Sequence, residues 1–123
     1  MMQAVQRSSS PKNVLVWETP SPHSANLMRE LANGDYSVTV AQDLEQATRL
    51  AAERDFDLAL IEVDLPRQSS LGLLRSLHQR RPSTKVVMVT DYADDDLWMD
   101  LVNEGASDLL CRPVRRVDLE RNI

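Results

Sequence analysis

The chain has 123 residues, room for one hydrophobic core and too few for two, so its function rests on a single scaffold. Apolar residues make up 42% and charged residues 27%, and no apolar run nears the roughly 20 residues of a membrane-spanning helix, which argues against a membrane protein. Nineteen acidic against 14 basic side chains leave a net charge of −5, unfavourable for direct nucleic-acid binding, and a single cysteine, Cys111, with no apolar secretory leader points to a reducing, cytoplasmic setting.

Residues 1–12 are polar, serine-rich and closed by Pro11-Lys12, and read as a disordered leader ahead of a domain over 13–123. Val14-Leu15-Val16-Trp17 is the first predicted strand. Leu27, Met28 and Leu31 form a helical stripe that Asn33-Gly34 closes as a C-terminal cap. Tyr36 to Val40 alternates as a half-covered strand does, which predicts a sheet edge. Asp43 and Gln46 have capping-box spacing before the apolar face of Leu44, Ala47, Leu50 and Ala51. Leu58 to Ile61 is a continuously apolar strand, and Leu73, Leu74 and Leu77 mark a third helix ending before Pro82. Val86 to Val89 is the fourth strand, and Leu97, Leu101 and Val102 mark a helix ended by Gly105, with Asp94, Asp95 and Asp96 favourable to its dipole. Leu109 to Cys111 completes five strands, with Cys111 expected in the core. Residues 114–123 then allow only a short last helix, as if the polypeptide continued.

Strands alternating with helices through short connections predict an α/β fold. The expected form is a doubly wound, five-stranded parallel sheet in the order 2-1-3-4-5, which also puts the second strand at an edge. Ligands in such sheets bind outside the carboxyl ends of the strands where strand order reverses. That rule selects Glu18 and Thr19 after the first strand, Glu62 at the end of the third, Thr90 after the fourth, and Arg112-Pro113 after the fifth. Two carboxylates converging there need a cation, a shared proton or a basic side chain, and Arg112 lies on the same rim.

These residues resemble the active site of the response-regulator receiver domain of two-component signalling, which has a flavodoxin-like fold. Glu62-Val63-Asp64-Leu65-Pro66, Val86 to Thr90, Gly105-Ala106-Ser107-Asp108 and Arg112-Pro113 match the family pattern in type and spacing. The resemblance implies that Glu62 stands at the phosphoacceptor position, with Glu18 and Glu62, and more weakly Asp64, lining the acidic pocket that holds Mg²⁺ in the family. It gives Thr90, Leu109 and Arg112 the switch and phosphate-contact positions, and makes the Arg112-Pro113 bond cis. The departures fall on chemistry. Glutamate is one methylene longer than the family's aspartate, and about 1 Å of misplacement costs on the order of 100-fold in rate. Thr19 replaces a metal-binding carboxylate, so Mg²⁺ binding is expected to be weak. Arg112 replaces lysine and is expected to form a lasting salt bridge with Glu62. Asp91 adds negative charge where a phosphodonor approaches, and Leu109 stands where the family has an aromatic switch.

The expected function is therefore an atypical receiver that is not an enzyme but a regulatory interaction module, without conventional aspartyl phosphorylation. Its partner, a protein or a sister output domain, is expected on the Asp94–Ile123 face. The family also has sensor histidine kinases as partners, transcriptional control as a common output, and homodimers. One alternative keeps Glu62 as a slow phosphoacceptor. Another is a flavin binder using the hydroxyl-rich stretch from Thr19 to Ser24, against which Pro20 and Pro22 count, since each lacks an N–H for a phosphate cradle. His23 and His78 lack partners at metal-ligand spacing, and the pairs Arg80-Arg81 and Arg115-Arg116 read as solvated.

Overall fold

The computed structural model describes residues 11–19, 24–63, 68–92 and 94–122. Strands and helices alternate: β1 (Lys12–Trp17), α1 (Ser24–Ala32), β2 (Tyr36–Val40), α2 (Leu44–Glu53), β3 (Leu58–Glu62), α3 (Gln68–Arg80), β4 (Lys85–Thr90), α4 (Asp95–Asn103), β5 (Asp108–Cys111) and α5 (Arg116–Arg121). All strand pairs are parallel and the order is β2-β1-β3-β4-β5, the predicted doubly wound sheet. Lys12, placed in the expected leader, already belongs to the sheet, its amide donating to the Asp35 carbonyl at 3.2 Å; residues 1–10 lie outside the described residues.

Period-two alternation along the central strands divides the core into two layers. Leu15, Trp17, Ala59, Ile61, Val86 and Met88 pack with Ala47, Ala51, Leu73, Leu77, Leu97 and Leu101 of α2, α3 and α4. Val14, Val16, Leu58, Leu60, Val87, Val89 and Leu110 pack with Leu27, Leu31 and Leu119 of α1 and α5. Every residue of β3 is buried, as expected of a central strand covered on both faces, whereas Ser37 and Val40 of β2 are exposed at the edge.

Several local readings change. Cys111 is exposed rather than in the core, because β5 is the other edge of the sheet and its last residue extends past the cover given by α4. Asp43 does cap α2, accepting from the Gln46 amide at 2.7 Å, but the Gln46 side chain accepts from Gln42 rather than from the cap residue. Gly34 closes α1 by donating to the Leu31 carbonyl, and its φ is not positive; what demands glycine there is the Tyr36 ring, which a Cβ would overlap. Arg81 is no solvated charge. It donates to the carbonyls of Ala51 and Ala52 and to Asp55, satisfying the C-terminal end of α2 from the end of α3. The short α5 is anchored by buried Val114 and Leu119 and by Asp108, which accepts from Arg121 and Asn122 at 2.8 and 2.9 Å.

Gly105, at the end of α4, has φ +108 and leaves room for His78, whose Cγ would lie 2.5 Å from an added Cβ. Gly105→Ala is expected to destabilise the domain by about 1–3 kcal/mol, read from the urea midpoint, and an unchanged midpoint would contradict this reading of the turn.

Candidate functional site

The parallel register sets which side chains meet. Trp17 is level with Ile61, Glu62 with Val89, and Val89 with Leu110. By period-two alternation Glu18, Glu62 and Arg112 fall on the α1–α5 side of the sheet, and Thr90 and Cys111 on the other. Neighbouring strands are about 4.8 Å apart, so a side chain on the β5 end must cross two strand spacings to reach β3, a span that needs the length of an arginine meeting a glutamate.

Arg112 makes that crossing. Its Nη2 donates to Glu18 Oε2 at 2.6 Å and to Glu62 Oε1 at 2.8 Å, and its Nη1 to Asp91 Oδ1 at 3.2 Å. The Arg112 and Glu18 side chains are each 5% exposed and that of Glu62 11%, so these are buried ion pairs. The other Glu62 oxygen accepts from the Thr19 hydroxyl at 2.6 Å and the Thr19 amide at 3.3 Å. Thr19 thus supplies two donors to the Glu62 oxygen that Arg112 does not hold. Burial works to lower the Arg112 pKa, but the carboxylates of Glu18, Glu62 and Asp91 outweigh it and hold the guanidinium charged. Burial also pushes the Glu18 carboxyl up from its ordinary value, against the opposing pull of Arg112 and with added repulsion from Glu62 and Asp91.

The remaining predicted residues stand apart from this cluster. Thr90 is buried, yet its hydroxyl donates to the Tyr92 carbonyl at 3.3 Å and accepts from the Tyr92 amide at 3.2 Å. Leu109, level with Met88, packs partly buried against the α2–α4 layer. The Arg112-Pro113 bond is cis, and the loop beyond it is tied to α1 by Asn26, which accepts from the Val114 amide at 2.7 Å and donates to its carbonyl. Asp64 lies outside the described residues, as do His23 and most of the stretch weighed as a flavin loop. Sequence reasoning missed Asp91 as a partner of Arg112, although it sits one residue past the Thr90–Cys111 level of the ladder and so beside Arg112.

A divalent cation does not fit these residues as they are arranged. Mg²⁺ needs close oxygen ligands, but three of the four oxygens of Glu18 and Glu62 accept hydrogen bonds from Arg112 or Thr19. The Arg112 Nη2 atom already stands 2.6 and 2.8 Å from the two carboxylates, in the position between them that a cation would take. Among the described residues no group of three or more His, Cys, Asp and Glu is arranged to hold a metal ion.

A profile of the response regulator receiver domain matches residues 14–123. The chain belongs to the response regulator receiver domain family. The receiver is 38% identical over 74 residues to the response regulator protein PilR of Pseudomonas aeruginosa, covering 60% of this chain and 17% of that protein. It is 32% identical over 94 residues to the two-component response regulator-like protein APRR3 of Arabidopsis thaliana, covering 73% and 19%. It therefore spans about a fifth of the length of these curated relatives. A Burkholderia pseudomallei response regulator solved with a phosphorylated aspartic acid, a calcium ion and citrate superposes with a TM-score of 0.78 at 25% identity, over 90% of this chain and 65% of that one. No helix among the described residues is long and apolar enough to cross a membrane.

Two outcomes test the electrostatics of this receiver. Arg112→Met strands two buried carboxylates and is expected to cost about 3–5 kcal/mol at neutral pH, measured by chemical denaturation; a cost under about 1 kcal/mol would contradict the buried pairing. Because the folded pKa of Glu18 lies above its ordinary 4.5, the folded state holds this proton longer, and stability falls as pH rises from 4.5 through the folded value. Glu18→Gln is expected to remove that part of the slope. Below 3.8 the sign reverses, because Asp108 and Asp118, both held below that value, lose their stabilising charge.

Proposed function

We propose that this receiver acts as a regulatory protein-interaction module whose state does not depend on phosphoryl transfer to Glu62. The observation that carries this reading is the Arg112 Nη2 atom bonded at once to Glu18 and Glu62. A phosphoacceptor must present a carboxylate oxygen to the donor with a cation ready for the developing charge. Here one Glu62 oxygen is held by Arg112 and the other by Thr19, and the cation is already spent on three carboxylates.

On this reading the domain binds rather than catalyses, in the cytoplasm, with any Mg²⁺ association weak. The partner surface is the face from Asp94 to Ile123, where Trp98, Met99, Val102 and Val117 leave apolar area exposed. A sister output domain is a natural occupant, since the relatives are much longer than this chain and include a transcriptional regulatory protein of Escherichia coli, ZraR. A sensor histidine kinase and a second copy of the receiver are further partners of the same kind. Leu109 in place of an aromatic side chain leaves no ring to turn between two rotamers, in keeping with a state fixed by Arg112.

Intact mass after incubation with Mg²⁺ and a small acyl phosphate tests this. No phosphoryl adduct is expected on the unaltered domain. An adduct that Glu62→Gln abolishes would overturn the proposal in favour of a slow glutamyl acceptor. An adduct gained only by Glu62→Asp would locate the defect in the acceptor's length alone and would contradict the role given to Arg112.

A further inference from the structure

The two edges of the sheet, β2 and β5, differ in how they are guarded. On β5 the Leu109 amide already donates to Asp108 Oδ1 at 2.9 Å, and the strand runs straight into Arg112 and Pro113. Charged side chains and proline are among the devices that keep a free edge from pairing. On β2 they are missing: Tyr36-Ser37-Val38-Thr39-Val40 carries no charge and no proline, and Val40 is 51% exposed. We propose that β2 is an interface on which two copies of this chain pair edge to edge, antiparallel and two-fold, into one continuous sheet.

The direction of the backbone groups carries the assignment. The Ala41 amide donates to the Val16 carbonyl at 2.8 Å, and the Asp35 carbonyl accepts from the Lys12 amide at 3.2 Å, so Asp35, Ser37, Thr39 and Ala41 turn towards β1. In a strand the N–H and C=O of one residue point to the same side, and the side alternates along the chain. Tyr36, Val38 and Val40 therefore point both groups outward, where no other strand among the described residues pairs with them. An antiparallel copy centred on Val38 uses them all. Val38 meets Val38 and Tyr36 meets the second copy's Val40, and each such pair exchanges both of its N–H···O bonds. Ser37 then faces Thr39 and Asp35 faces Ala41, so no like charges are opposed. A slip of the register by two residues leaves Tyr36 or Val40 unmatched, and in the first case it sets Asp35 against Asp43. The side chains fit the same register. Tyr36 and Val38 pack against the α1–α5 layer, Val40 is the exposed end of that apolar row, and the second copy's Tyr36 would cover it. Because β5 is guarded, the pairing closes at a dimer.

Pairing through β2 involves neither Glu62 nor the Asp94–Ile123 face, so it stands or falls apart from the function proposed above. Sedimentation of the unaltered chain and amide hydrogen exchange test it together. A monomer–dimer equilibrium is expected, half complete at a concentration between about 10 μM and 1 mM, as for a small contact. As the concentration rises, the amides of Tyr36, Val38 and Val40 are expected to exchange more slowly, while those of Ser37 and Thr39 stay as they are. Val40→Pro removes an outward N–H without touching the ladder to β1, and is expected to weaken the dimer at least about tenfold. Val40→Lys sets a charge on the exposed edge and is expected to act in the same direction, which keeps the test open if the proline variant does not fold. Val102→Lys, an exposed change on α4, is expected to leave the dimer unchanged. A chain still monomeric at about 1 mM would overturn the proposal. So would slowed exchange confined to amides outside β2, or a dimer that Val102→Lys abolishes and the Val40 variants do not, which would put the second copy on the Asp94–Ile123 face instead.

Discussion

One guanidinium facing three carboxylates governs the end of this sheet. Arg112 bonds Glu18, Glu62 and Asp91, two of these pairs buried. Burying charges in pairs seldom adds net stability, because desolvation offsets the attraction. The consequence is positional: once the three carboxylates are placed there by three strands, a cation must be placed among them, and the chain supplies its own. The same requirement accounts for the arginine. A planar fork donates to two or three carboxylates at once, where a lysine ammonium is a point charge on a mobile stem.

The surrounding residues act in the same sense. Thr19 contributes a hydroxyl and an amide to the Glu62 oxygen that Arg112 does not hold, so the Glu62 carboxylate is fixed at both oxygens. Thr90 closes a local turn with Tyr92, and Leu109 is absorbed into the α2–α4 layer. Asn26 ties Val114, just beyond Arg112-Pro113, to α1. The receiver fold is retained while the residues at this end of the sheet are joined to one another.

Most of the fold was legible because its signals are local and repeated. Continuous apolar runs marked the covered strands, alternation in Tyr36 to Val40 marked an edge, and connections too short for anything but crossover helices forced parallel pairing. Cys111 was misread for a reason the same signals contain: an apolar strand end looks buried in sequence, but its cover depends on how far a neighbouring helix reaches. Gly34 was read as a C-terminal cap and does close α1, but its constraint is the ring of Tyr36, a contact set by the path of the chain rather than by the turn. Within the site, residue types and strand ends were enough to pair Arg112 with Glu62. That Glu18 and Asp91 share the same guanidinium, and that Arg81 serves the end of α2, depended on register and on packing between helices distant in sequence. Neither leaves a periodic trace.

The central claim is that Arg112 takes the place of a divalent cation between Glu18 and Glu62. An amide NMR titration of the unaltered domain with Mg²⁺ tests it most directly. The account predicts no saturable shifts at Glu18 or Glu62 up to about 10 mM, and saturable shifts once Arg112→Met vacates the position. Saturable Mg²⁺ binding at those two residues with Arg112 in place would contradict it.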